Sequence, residues 1–224
     1  MNLIGRRTEL DVVFEHLRTG KNLAISGAEG TGKTALAREA IAGHADTVYC
    51  ADTSTLKTTC ESLLVALGLS LAWTDNIQRK RALLHATRNK RCCFVFDNVS
   101  RVSPRLLSLL EAVHESHPML LIGRSFAWIE TGHLKMILWD FDQLELGNLR
   151  EADARQLIES EVARLDLRPP NPRQFARELW RLSRGNPRRI VELCVQATTG
   201  QYVFGGRVSV ALLELDRRIH KLIQ

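Results

Sequence analysis

Lysine is scarce in this sequence: seven of its 31 basic residues are lysines and 24 are arginines. Arginine favours bidentate contact with phosphate or carboxylate, so the net charge of +6 has two readings, a basic solvated surface or an anionic partner such as nucleic acid. Paired cysteines are lacking too. Cys50, Cys60, Cys92, Cys93 and Cys194 are odd in number and contain no C-x-x-C. That excludes a zinc or disulfide framework and reads as buried thiols in a reducing compartment. No apolar run reaches the length of a bilayer crossing, and Met1 to Arg6 holds no apolar signal core. The expectation is a cytoplasmic protein with no membrane partner. Aromatics make up 6% of the chain, and no helix-turn-helix, zinc-finger or RNA-binding aromatic motif is present. Any nucleic-acid contact would therefore be to the backbone and not to sequence. Internal repeats and low-complexity tracts are absent.

What is present begins with Leu23 to Ser26, a short apolar run that leads into Gly27-Ala28-Glu29-Gly30-Thr31-Gly32-Lys33-Thr34. The loop fits G-x-x-x-x-G-K-[ST] between an expected strand and an expected helix. Gly27, Gly30 and Gly32 let backbone N–H groups turn inward without Cβ clashes, and a concave row of such donors at a helix N-terminus binds phosphate. Lys33 is placed to reach the β- and γ-phosphates, and the Thr34 hydroxyl to hold Mg²⁺. Glu29, Thr31 and Ala35 belong to the same nucleotide-binding stretch.

The periodicity predicts a helix after Thr8 as N-cap, stopped by Gly20, then a strand over 21–26, a helix over 33–42 and a strand over 47–51. Helices follow over 55–68 and 75–89. Cys92 to Phe96 and Met119 to Gly123 are continuous apolar runs of the kind found in buried parallel strands, with a helix from Pro104 between them. A last strand is expected within 136–146. The fold class is α/β: a P-loop NTPase αβα sandwich with a parallel sheet, then a small C-terminal helical lid. The division is expected at residues 1–147 and 148–224. Asn148 and Glu151 resemble a capping box that opens a helix to Leu165. Further helices are expected over 173–183 and from Pro187, with a turn or small hairpin over 200–206 and a last amphipathic helix over 207–222.

Phe94-Val95-Phe96-Asp97 is an apolar strand ending in a carboxylate. Downstream of a P-loop, this suits Asp97 for the Mg²⁺ side of the site. Asn98 stands at the catalytic position where many hydrolysing P-loop ATPases carry Glu, and Asn cannot accept a proton from water. General-base help is worth about 10² to 10⁴ in rate, so the expectation is slow hydrolysis, water positioned by another group, or binding alone. Glu29 is a carboxylate that could substitute, or an exposed loop residue.

Gly5-Arg6-x-x-Glu9-Leu10, the P-loop, the Asp97 strand and Gly185-Asn186-Pro187-Arg188 together resemble the AAA+ and STAND branch of P-loop ATPases. The likeness is to small forms with a three-helix lid: origin-recognition-like, ExeA-type and TniB-type ATPases. It implies ATP or ADP with Mg²⁺ as cofactors, and an adenine packed on Leu3 to Arg7. It also implies a γ-phosphate sensor at Arg124 and a lid contact to the phosphates from Pro187-Arg188. Gly123-Arg124-Ser125 departs from the usual pattern of that position, and Asn98 is tolerated in STAND-type members. An arginine finger acting in trans is usual in oligomeric members. No arginine occurs between Arg124 and Arg150, which leaves Arg101 and Arg105 by elimination.

Arg173, Arg177, Arg181 and Arg184 fall on one helix face. Six acidic residues interrupt the ten arginines between 150 and 189, so intramolecular pairing and phosphate binding are both open. The resulting expectation is an ATP-binding switch or assembly ATPase that acts by self-assembly or on a separate partner, with DNA among the candidates. The alternatives are a non-hydrolysing adaptor and the nucleotide-binding part of a larger STAND signalling protein.

Overall fold

A computed structural model describes residues 3–69, 75–127 and 131–198, the strand residues 203–204 and 207–208, and helical positions 212, 215 and 219. The chain divides into two compact units. One comprises Arg7–Glu29 and Lys33–Leu146, and the other comprises Met1–Arg6, Gly30–Gly32 and Gly147–Gln224.

The first unit opens with helix α1 (Arg7–Thr19) and then builds a five-stranded parallel sheet from β1 (Leu23–Ser26), β2 (Thr47–Cys50), β3 (Cys93–Val99), β4 (Met119–Gly123) and β5 (Asp142–Glu145). Helices α2 (Lys33–Ile41), α3 (Leu56–Ala66), α4 (Asn76–Thr87) and α5 (Pro104–His114) link the strands. This is the α/β P-loop NTPase fold. The strand order is β2-β3-β4-β1-β5. The central strands are apolar on both faces because helices cover both: Phe94, Val95, Phe96, Leu121 and Ile122 are all buried. β5 is an edge strand whose residues are mostly exposed, as Asp142 and Glu145 require.

The second unit packs α6 (Glu151–Arg164), α7 (Pro172–Ser183) and α8 (Pro187–Ala197) around Leu149, Ile158, Phe175, Leu179, Ile190 and Leu193. Asn171 and Asn186 cap α7 and α8, each accepting a backbone N–H three residues on, with Pro at the first helical position. All five cysteines are buried, as expected.

Four local expectations are corrected. Thr8 is the second residue of α1 and not its cap. Asn148 and Glu151 form no capping box: α6 starts at Glu151 behind Arg150, whose side chain makes no cap bond. The chain before α6 is held instead by the Leu149 N–H donating to the Gly185 carbonyl at 2.8 Å, which delays the helix. β3 does not stop at Asp97 but continues to Val99 through an irregular register at Asp97-Asn98. Residues 207–208 pair antiparallel with 203–204 where a helix start was expected. Most of the expected helix over 207–222 lies outside the described residues.

Candidate functional site

In the first unit the strand order brings the sequence-predicted residues together. β4 lies between β1 and β3, so the carboxyl ends of three neighbouring strands carry Gly27, Arg124 and Asp97 side by side. The Gly27 N–H donates to the Arg124 carbonyl at 3.1 Å, which closes the sheet beneath the loop. The Arg124 side chain is exposed.

Lys33 opens α2, and its ammonium folds back over the loop. Nζ donates to the Gly27 carbonyl at 2.7 Å and the Ala28 carbonyl at 2.8 Å. Burial pushes its pKa down, while Asp97 and Glu29 pull it up and Arg124 pushes it down further. Thr34 is half-buried one residue on, and Ala35 and Glu29 are exposed.

Asp97 is 2% exposed. Its Oδ1 accepts the Asn98 N–H at 2.8 Å, and its Oδ2 accepts the Tyr49 hydroxyl at 2.7 Å. Arg38 of α2 lies over the Tyr49 ring, 5.4 Å from the centroid. Burial and the bond to Asp97 push the Tyr49 phenol up to about 12. Sequence reasoning missed Tyr49. Only the register reveals it: Tyr49 pairs with Val95, so its side chain shares a sheet face with Asp97, two residues on. Asn98 adopts a left-handed backbone (φ 57°), and its amide donates to the Ala51 carbonyl at 3.2 Å. The expected finger candidates Arg101 and Arg105 are both exposed, at the approach to α5 and in its first turn.

The remaining residues group in the second unit. The loop tip Gly30–Gly32 belongs there, bonded to the start of α8: the Arg188 N–H donates to the Gly30 carbonyl at 3.1 Å. Pro187 is the first residue of α8, and the Arg188 Nε donates to Glu192 at 2.9 Å. Arg6 is buried, and its guanidinium donates to the carbonyls of Thr31, at 3.2 Å, and Gly147. Gly5 lies against Asp153. A Cβ on Gly32 would meet no atom within 4 Å, so it would stand in open space. Within the first unit, a desolvated ammonium at the start of α2 and a buried carboxylate on β3 suit a phosphate chain with a divalent cation.

Comparison with known proteins agrees with this geometry. Residues 16–128 match the family described as the AAA domain. The chain belongs to that family. It is an AAA+ P-loop ATPase domain, and membership implies binding of nucleotide, usually with Mg²⁺. Among solved structures, Orc1 of Aeropyrum pernix in complex with DNA is similar with a TM-score of 0.72 at 18% identity, over 96% of this chain and 66% of that one. Drosophila ORC bound to DNA gives 0.66 at 16% identity, over 100% and 62%. A STAND protein with a tetratricopeptide repeat sensor from Pyrococcus horikoshii gives 0.55 at 16% identity, over 88% and 30%. This AAA+ chain thus spans less than two thirds of each of those proteins, and at such identity the likeness is one of fold. No curated protein matches the sequence. Among the described residues, no helix is long and apolar enough to cross a membrane.

Proposed function

We propose that this AAA+ chain is an ATP-responsive switch with slow turnover, acting in the cytoplasm on a separate partner, by self-assembly or on DNA. Its ATPase core would be residues 1–147 and its lid 148–224. The observation that carries the slow-switch reading is Asn98. It follows the metal-side carboxylate, its amide is tied to Ala51, and it offers no group to take a proton from water.

Bound ATP with Mg²⁺ would supply the phosphoanhydride and the cation that stabilises its charge. The chain's own parts are the Lys33 ammonium facing the loop, the Thr34 hydroxyl and Asp97 carboxylate as cation ligands, and exposed Arg124 at the end of β4. Arg6 fixes Thr31 and Gly147 through its guanidinium, and Arg188 holds Gly30 through its main chain. The loop therefore runs through both units, with Gly27–Glu29 and Lys33 in one and Gly30–Gly32 in the other.

The test measures ATP binding, phosphate release and particle size, with and without ATP and duplex DNA, in the native chain and in Lys33→Ala. Binding with slow turnover, both lost in Lys33→Ala, together with a size change on ATP, is expected. Failure to bind ATP overturns the proposal. Binding without any turnover favours a non-hydrolysing adaptor, which the same Asn98 geometry supports.

A further inference from the structure

The ten arginines between 150 and 189 are not equivalent. Arg155, Arg164, Arg168 and Arg188 each face a carboxylate: Glu151, Glu161, Asp166 and Glu192. Arg173, Arg177 and Arg181 on α7, and Arg184 just past its end, are exposed, and among the described residues they make no ion pair. The one acidic residue of α7, Glu178, accepts the Gln174 side-chain amide at 2.9 Å, and a single carboxylate beside four arginines leaves the face net positive. Arg173, Arg177 and Arg181 fall within an arc of about 80° and span about 12 Å along the helix, and Arg184 follows in a left-handed backbone (φ 52°). A duplex of that length presents about three to four phosphates per strand.

We infer that the arginine face of α7 is a docking surface for the phosphodiester backbone of duplex DNA; this rests on the switch reading and names its partner. Three observations narrow the partner. The apolar face of α7, with Phe175, Ala176 and Leu179, is buried in the helical core, so this helix has no apolar face left to lower into a membrane. Its two aromatics, Phe175 and Trp180, belong to that core, so the face offers no ring for stacking unpaired bases. Its positive charge is carried by arginine alone, whose planar fork matches phosphate oxygens. The sequence carries no helix-turn-helix or zinc-finger motif to set a helix into a groove, so the contact expected is to the backbone and independent of sequence.

The experiment is fluorescence anisotropy with a labelled random-sequence duplex, a second unrelated duplex and the matching single strand, titrated with the full chain at several salt concentrations. Both duplexes are expected to bind alike and more tightly than the single strand. Four phosphate contacts would cut affinity about a hundredfold between 50 and 200 mM salt. Arg177→Ala with Arg181→Ala is expected to weaken binding at least tenfold and to flatten the salt slope by about 2. Arg177→Lys with Arg181→Lys should recover most of the affinity. ATP binding, measured in the same samples, should not change, which shows that the variants are folded. Duplex binding that is undetectable at low salt, or unmoved by the double alanine change, overturns the inference while leaving the nucleotide reading intact. Equal competition by polyglutamate overturns it in favour of an acidic protein partner. Loss of ATP binding in the native chain would instead sink the switch reading.

Discussion

The Tyr49 hydroxyl donates to Asp97 Oδ2 at 2.7 Å while the other carboxylate oxygen accepts the Asn98 N–H. The buried carboxylate is therefore held in one orientation from both sides, and Tyr49 is itself held under Arg38. This makes Tyr49 a positioning residue for the metal-side carboxylate. A hydrogen bond to a charged group is worth about 1.5 kcal/mol or a little more. Tyr49→Phe should raise the Mg²⁺ concentration for half-maximal ATP binding about tenfold, and leave Mg²⁺-free binding of ADP unchanged. Equal loss in both would mean that Tyr49 supports the fold and not the carboxylate.

Lys33 gives the cleanest test of the nucleotide site. Its ammonium is penalised by burial and, among the described residues, bonded to two loop carbonyls, so Lys33→Ala should leave the unliganded melting temperature nearly unchanged. ATP at a hundred times its Kd stabilises by about 2.7 kcal/mol, which in a chain of this size is about 5–10 °C. Thermal melts should show that shift in the native chain and none in the variant.

The features legible in the sequence were those whose residues satisfy their requirements locally. The P-loop names its own glycines, and β3 and β4 announce themselves as unbroken apolar runs because both faces are covered. β5 was only bracketed, since an edge strand carrying Asp142 and Glu145 has no apolar signature. The start of α6 was misread because the Leu149–Gly185 backbone bond, between residues far apart in sequence, sets it. Tyr49 was invisible for the same kind of reason: its partner lies on the adjacent strand, and register is not written in either strand alone. The arginine stripe was seen, but its lack of ion pairs required side-chain positions.

Gly30 and Gly32 should separate fold from binding. Both have positive φ, 81° and 95°. A Cβ on Gly30 would stand 2.6 Å from Asn186 Oδ1, the atom that caps α8, and 2.9 Å from the Arg188 Cβ. Gly30→Ala adds that clash to backbone strain and should destabilise by about 2–3 kcal/mol. Gly32→Ala carries the strain alone, about 1–2 kcal/mol, and its methyl would stand in open space within the phosphate-binding loop. It should melt nearer to the native temperature and yet lose more than tenfold in ATP affinity by calorimetry.

The Tyr49 phenol sets a pH window. Its folded value, about 12, lies above the ordinary value of 10, so the unfolded chain loses this proton first. The stabilisation is therefore complete below about pH 10 and is lost as pH rises toward 12. Phenolate absorbance, to which both of the chain's tyrosines contribute, should include a late step in the native chain. That step should move to about pH 10 in denaturant and be absent in Tyr49→Phe.

Asn98 decides whether a missing base limits turnover. Its left-handed backbone suits Asn, whose short side chain tolerates that region, and its amide is held by Ala51. Glu at the same place would lose that bond and cost about 1 kcal/mol of strain, lowering the melting temperature by about 2–4 °C. In exchange it would put a carboxylate beside Asp97, where water would be activated. General-base assistance is worth at least about 10² when well aligned, so Asn98→Glu should raise steady-state phosphate release at least tenfold even with imperfect alignment. The gain should vanish when Lys33→Ala is added. An unchanged rate in a variant that still binds ATP would place the limit elsewhere, in product release or in an assembly step that the monomer does not make.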